Sequence, residues 1–170
     1  MSPSRMFKGF VSEGGVRSPL VVKSPGTTSD PGAINHSFFH VRDILPTLLE
    51  AAGVEPPSQI SGREVVAPQG SSVLELFTGE VQTPYAGAAQ VGYELFGLKA
   101  FFVGNWKILW LPPPFGPGEW QIYDLSQDPG ETNDLAEDSP QRLADMIALW
   151  EQYRIDNGVL DLGVSLPEVF

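Results

Sequence analysis

Among its 170 residues the chain has no cysteine, which excludes disulfides, thiolate metal ligands and a cysteine nucleophile. No run of about 18 apolar residues occurs, and residues 1–25 lack the apolar centre of a secretion signal. The expectation is a soluble chain with no address of its own, in cytoplasm or periplasm. Histidine is limited to His36 and His40. They are four residues apart but precede the expected helix cap Asp43, so they do not share a helical face. No HExxH zinc motif is present, and no G-x-S-x-G elbow supports a serine triad. Positive charge is scarce as well, with 10 Lys and Arg against 21 Asp and Glu and a net charge of −11. That balance argues against nucleic acid or an anionic membrane as partner.

What is present points to a folded domain rich in turns. Apolar residues make up 42% and aromatics 11%, enough for a real core in a chain of this length. The 18 glycines and 16 prolines exceed average usage and favour irregular connections over a helical bundle. An α/β to α+β body is therefore expected. Charge is uneven along it. Residues 1–23 hold Arg5, Lys8, Arg17 and Lys23 against Glu13, whereas residues 119–170 hold twelve acids against Arg142 and Arg154. An anion site in this chain must rely on local donors, and the amino-terminal end has the excess of them.

Taken in order, the pattern predicts the following elements. Paired Gly14-Gly15 suggests a sharp turn feeding a buried strand over Ser18 to Val22, with Lys8 on a loop beside its edge. Residues 24–35 are a turn-rich connection, and Phe38 to Val41 a brief extended piece. Asp43 is expected to cap a helix with Pro46 in its first turn and Ile44, Leu45, Leu48, Leu49 and Ala52 on its apolar face, closed by Gly53. Val54 to Gly70 reads as loop. Ser72 and Glu75 fit a capping box for a short helix ending near Gly79.

From Ala88 the pattern changes to strands: Ala88 to Glu94, Lys99 to Val103, Asn105 to Leu111 and Trp120 to Leu125, with Gly104-Asn105 as a hairpin turn. A four-stranded antiparallel sheet follows, with Pro112 to Gly118 as a stiff loop between its last two strands. Ser139 and Pro140 open a helix whose Leu143, Met146, Ile147, Trp150 and Tyr153 pack on the sheet, and Asn157-Gly158 ends it. Residues 159–170 form a tail without pattern. A boundary between two lobes is expected near residues 80–87, dividing 1–85 from 86–170.

The segment from Lys8 to Pro19, K-G-F-V-S-E-G-G-V-R-S-P, resembles the part of sulfatases that carries a sulfate-binding lysine before an E/Q-G-G-[IV]-R-x-P turn. Later strings resemble that family in the same order. They are D-I-L-P-T-L from Asp43, G-Y-E-L-F-G-L-K-A from Gly92, G-N-W-K from Gly104, and W-Q-I-Y-D-L-S-Q-D-P-G-E from Trp120 to Glu131. The resemblance covers residues 4 to about 160, yet only the carboxy-terminal third or so of a sulfatase.

It implies the end of a large α/β lobe followed by a small lobe of a four-stranded antiparallel sheet and packed helix. It also implies an arylsulfatase-like hydrolase of sulfate monoesters within the alkaline-phosphatase-like superfamily, in which Lys8 contacts the sulfate. Formylglycine, calcium and the other site residues come from upstream family sequence. The missing amino-terminal sulfatase portion is thus an implied partner, calcium is expected only for the complete enzyme, and this chain alone is expected to be inactive. Phosphonate monoester hydrolase or phosphodiesterase chemistry, or a non-catalytic interaction module, are the alternatives. Met1-Ser2-Pro3-Ser4-Arg5 approaches the C/S-x-P-S-R formylglycine signature, but Met1 stands where Cys or Ser is required, so the match is read as coincidence. The acids from Asp124 to Glu131 lack calcium-loop spacing, and Asp128-Pro129-Gly130 reads as a turn.

Overall fold

A computed structural model describes residues 4–24, 26, 30, 32–81, 85 and 89–160. The predicted strand start at Ala88, Met1 to Pro3 and the tail 161–170 lie outside the described residues. The chain forms two compact units, Met1–Pro19 with Gly87–Phe170, and Leu20–Ala86. Among the described residues no helix is long and apolar enough to cross a membrane.

The first unit is built on a meander. Strands β3 (Gln90–Leu95), β4 (Leu98–Val103), β5 (Trp106–Trp110) and β6 (Trp120–Asp124) pair antiparallel in that order, close to the predicted spans. Phe96 and Gly97 make the first two-residue turn, both at positive φ (54° and 80°), as a hairpin that follows the twist of the strands requires. Helix α4 (Pro140–Asp156) starts at Pro140 as predicted. Its Met146 and Trp150 close over Phe101, Ile108 and Ile122, which are aligned across β4, β5 and β6. Gly92 on β3 is needed for this packing, since a Cβ there would stand 2.3 Å from the Tyr153 ring.

The opposite face of the same sheet is also covered. Phe102, Lys107 and Tyr123 are aligned across β4, β5 and β6 and are all buried. The segment before Pro19 supplies their partners. That segment holds α1 (Glu13–Val16), a single helical turn. Gly14 and Gly15 are there because the backbone comes too close for a side chain: Cβ atoms would lie 2.3 Å from Met6 O and 1.9 Å from Phe10 O. The sharp turn expected at these glycines is thus a helical turn, and neither glycine is at positive φ.

The predicted strand Ser18 to Val22 is absent. The segment has no strand assignment, and Val21 is 92% exposed. A strand requires a hydrogen-bonding neighbour, and among the described residues none pairs here.

The second unit is organised by α2 (Ile44–Ala51), preceded by a 3-10 turn at Val41–Asp43 that takes only the last residue of the predicted extended piece; His40 before it is extended (φ −116°, ψ 151°). Its buried side is polar. Asp43 is fully buried and accepts from His40 N–H (2.8 Å), Ser71 N–H (3.0 Å) and the Tyr85 hydroxyl. Burial, and next the bond to Asp43, raise the Tyr85 pKa.

Thr47 Oγ1 donates to Asp43 O (2.6 Å) and accepts from Val73 N–H (2.9 Å), which ties α2 to the start of α3 (Leu74–Thr78). The predicted apolar face is only partly covered: Ile44 and Leu49 are half-buried, whereas Leu45 and Leu48 are exposed, Leu48 by 62%. A small hairpin, β1 (Gln59–Ile60) with β2 (Arg63–Glu64), interrupts the predicted loop.

Thr47→Val keeps shape but leaves the buried Val73 N–H without an acceptor, a loss of about 1–3 kcal/mol. Urea unfolding monitored by tyrosine fluorescence would read it as a lower midpoint with an unchanged slope; an unchanged midpoint would contradict this role for Thr47.

Candidate functional site

Lys8 lies at the tip of a closed loop. Phe7, Lys8 and Gly9 are exposed, and Phe10 turns back under them, donating its N–H to Phe7 O (3.2 Å). The Phe10 ring packs edge-on between Phe7 and Phe115, at 5.2 and 5.1 Å, so the Pro-rich loop supports the base of the tip. Below it, Gly14 N–H and Ser12 Oγ both donate to Arg5 O, at 2.8 and 3.1 Å. Arg5 and Gly14 thereby form the neck.

Beneath the neck is a buried cluster of charges that the sequence reading did not single out. Lys107 Nζ is 3.0 Å from Glu13 Oε1 and 2.7 Å from Glu131 Oε1. All three side chains are buried, and the Lys107 ammonium also sits 4.7 Å from the centre of the Phe102 ring. The second oxygen of Glu131 accepts the Glu13 backbone N–H at 3.0 Å. Its first oxygen meets Lys107 as an ion pair, at an angle outside good hydrogen-bond geometry. Glu131 adopts φ 56°, an uncommon backbone state that points the carboxylate inward under the neck.

Three of the strings behind the resemblance thus meet at one place: E-G-G through Glu13, G-N-W-K through Lys107 and D-P-G-E through Glu131. The available signal was Lys107 itself, a charge in a strand whose two parities are both apolar around it. Buried lysines are rare unless paired.

Arg5 fastens the other side of the neck, donating to Tyr123 Oη (2.9 Å) and Gln121 Oε1 (3.3 Å). Its part in the near-signature at the amino terminus is therefore a structural one. Burial is the main cause that pushes the Tyr123 hydroxyl up to about 12; Arg5 opposes it and Asp134 and Glu131 add to it. The phenol stays protonated through the neutral range.

The remaining candidates resolve as turns. Asp128 accepts from Thr132 N–H (2.7 Å), Thr132 Oγ1 (3.0 Å) and Asn133 N–H (2.8 Å). Partial desolvation raises its pKa, but these bonds outweigh it and hold the carboxyl below 3.8. The folded chain then binds fewer protons than the unfolded chain near that value. This contribution to stability is complete above pH 3.8 and is lost as the pH falls through the depressed value. Asp128→Ala should flatten the acid limb of a stability–pH curve; an unchanged limb would sink this assignment.

His36 is exposed, and His40 Nδ1 accepts from Arg42 N–H (3.2 Å). Among the described residues no group of three or more His, Cys, Asp or Glu could hold a metal ion, and the pair Glu13 and Glu131 already holds the Lys107 ammonium between its carboxylates. These residues do not fit the calcium that the resemblance implies.

No protein-family model matches the chain. An uncharacterised sulfatase of Schizosaccharomyces pombe is 39% identical over 170 residues, which are 99% of this chain and 30% of that protein. The chain belongs to the sulfatase family, matching its carboxy-terminal part. Arylsulfatase K of Xenopus laevis is 25% identical over 149 residues, 86% of this chain and 27% of its own length. A solved protein in complex with its substrate D-glucosamine-2-N,6-O-disulfate shares the fold, with TM-score 0.50 and 24% identity over 71% of this chain and 25% of that one. The sulfatase segment described here therefore spans less than a third of the length of these relatives. Its four-stranded sheet with a carboxy-terminal helix is the fold of their final part.

Proposed function

We propose that this chain forms the carboxy-terminal part of an arylsulfatase-like sulfuric ester hydrolase that cleaves sulfate monoesters when complete, with Lys8 as a donor to the sulfate oxygens. The observation that carries this reading is the closed loop that places Lys8, exposed, at a tip whose neck is tied to the sheet by Glu13, Lys107 and Glu131. A compact ammonium with three donors on a fixed loop suits an anion whose charge grows on its oxygens as the ester S–O bond breaks. Formylglycine and calcium belong, in this proposal, to sequence amino-terminal to these residues, and no step described here passes through them.

The second unit supports the need for that portion. Leu20, Val21, Ile34, Leu45, Leu48 and Val66 are exposed, apolar side chains available for a further portion to cover.

The direct test is turnover of p-nitrophenyl sulfate with calcium. The 170-residue chain alone should show none, and mixing it with an amino-terminal sulfatase portion should restore activity. Turnover by the isolated chain, or continued inactivity of a complex that forms stably, would overturn the proposal.

A further inference from the structure

The Lys8 loop is fastened at two points that are direct neighbours on the sheet. Arg5, on one side of the neck, donates to Tyr123 on β6. Glu13, on the other side, pairs with Lys107 on β5. Lys107 and Tyr123 are cross-strand partners, so the neck is held across one rung of the sheet.

The chemistry of the second fastening is informative. Apolar residues of similar volume would commonly stabilise a core as well as a buried ion cluster does, but apolar contacts tolerate sliding. An ammonium held between two carboxylates at 3.0 and 2.7 Å, one of which also takes the Glu13 N–H at 3.0 Å, loses these contacts if any member slides. Such a cluster sets a position more than it adds stability.

We propose that Glu13, Lys107 and Glu131 are positioning residues that act through the neck to fix where the Lys8 ammonium stands. The proposal rests on the reading of Lys8 as the sulfate donor and deepens it. The location of that donor is set by the carboxy-terminal unit, through Lys107 and Glu131, which follow Glu13 by 94 and 118 positions.

Two measurements separate this inference from the reading beneath it. In the 170-residue chain, amide hydrogen exchange followed by NMR needs no substrate. Lys107→Met and Glu131→Gln should each speed exchange of the Phe10 and Gly14 amides, which bond within the loop, at least ~10-fold. In Glu131→Gln the Leu143 and Asn157 amides, at the two ends of α4 where opening is local, should change by less than about twofold. Glu131→Gln preserves shape and an acceptor for the Glu13 N–H, and so serves if Lys107→Met unfolds the chain. Unchanged neck amides, or equal acceleration in α4, would overturn the inference.

In the enzyme completed with an amino-terminal sulfatase portion, Lys107→Met should lower kcat on p-nitrophenyl sulfate by about tenfold to a hundredfold, the cost of a donor displaced by an ångström or so. In a Lys8→Ala background the same change should add less than about twofold, because residues acting as a unit are not additive. A full additive loss would overturn the positioning role. Undiminished activity of Lys8→Ala would instead overturn the sulfate reading, and the exchange result would stand apart from it.

Discussion

Lys107→Met is expected to destabilise the isolated chain by about 3–5 kcal/mol, the cost of removing one partner from a buried ion cluster. The loss does not measure the worth of the ion pairs. It arises because Glu13 and Glu131, both buried and both within 3.0 Å of the same ammonium, would be left as two negative groups with no cation between them. Against a total stability of about 5–15 kcal/mol, that is enough to make the unfolded fraction measurable at room temperature.

The origin of the loss can be checked with neutral replacements. Adding Glu131→Gln to Lys107→Met removes one unpaired charge and should recover a large part of the deficit; adding Glu13→Gln as well should recover more. Urea midpoints of the three variants at pH 7 give the comparison. If the double variant is no more stable than Lys107→Met, the deficit comes from lost packing, and the account of Lys107 as the neutralising centre of the cluster fails.

The parts of this molecule that could be read from its sequence are those stabilised by neighbours close in the chain. The first three strands of the sheet join by two-residue turns, and α4 has its proline and its apolar spacing within its own residues. Helix α2 starts right after Asp43 and stops just before Gly53, as read, although the Asp43 carboxylate makes no cap bond to the helix. Its buried side was not legible, because the partners that bury Asp43 and Thr47 come from Ser71, Val73 and Tyr85, whereas Leu45 and Leu48 are exposed. The run from Ser18 to Val22 has strand-forming residues, but strand formation is decided by pairing, and among the described residues none pairs there.

The charge cluster was hidden for a related reason. Glu13 and Glu131 are 118 positions apart, and each has an adequate local explanation: one opens a helical turn, the other follows a D-P-G turn. Only the burial of Lys107 between two apolar neighbours, Trp106 and Ile108, hinted that this charge required a distant partner. The lysine that stood out in the sequence, Lys8, is exposed at a loop tip, and the one that did not, Lys107, lies at the centre of what holds the tip.

In the completed enzyme, Lys8→Ala should lower kcat/KM on p-nitrophenyl sulfate by about 10²–10³-fold, the usual consequence of deleting one preorganised donor to developing negative charge. The effect depends on water being excluded. Attraction between an ammonium and a sulfate oxygen scales inversely with the effective dielectric constant, which falls from about 80 in water to about 20 near protein charges. At the exposed tip in this chain the ammonium is hydrated and should bind inorganic sulfate no better than any surface lysine. Covered by the amino-terminal portion, the same group should be several times more effective.

Two observations therefore belong together: no sulfate-dependent shift of the Lys8 signals in the isolated chain by NMR, and a large loss on Lys8→Ala in the completed enzyme. Lys8→Arg should recover only part of the activity, because a planar guanidinium cannot place its donors where a compact ammonium does. Salt gives an independent check, since a charge in a covered site is screened little while a surface charge is screened strongly. The Lys8→Ala deficit should persist at high ionic strength. A deficit that disappears with added salt, or one below about tenfold, would show that Lys8 only attracts the anion from a distance and does not touch it.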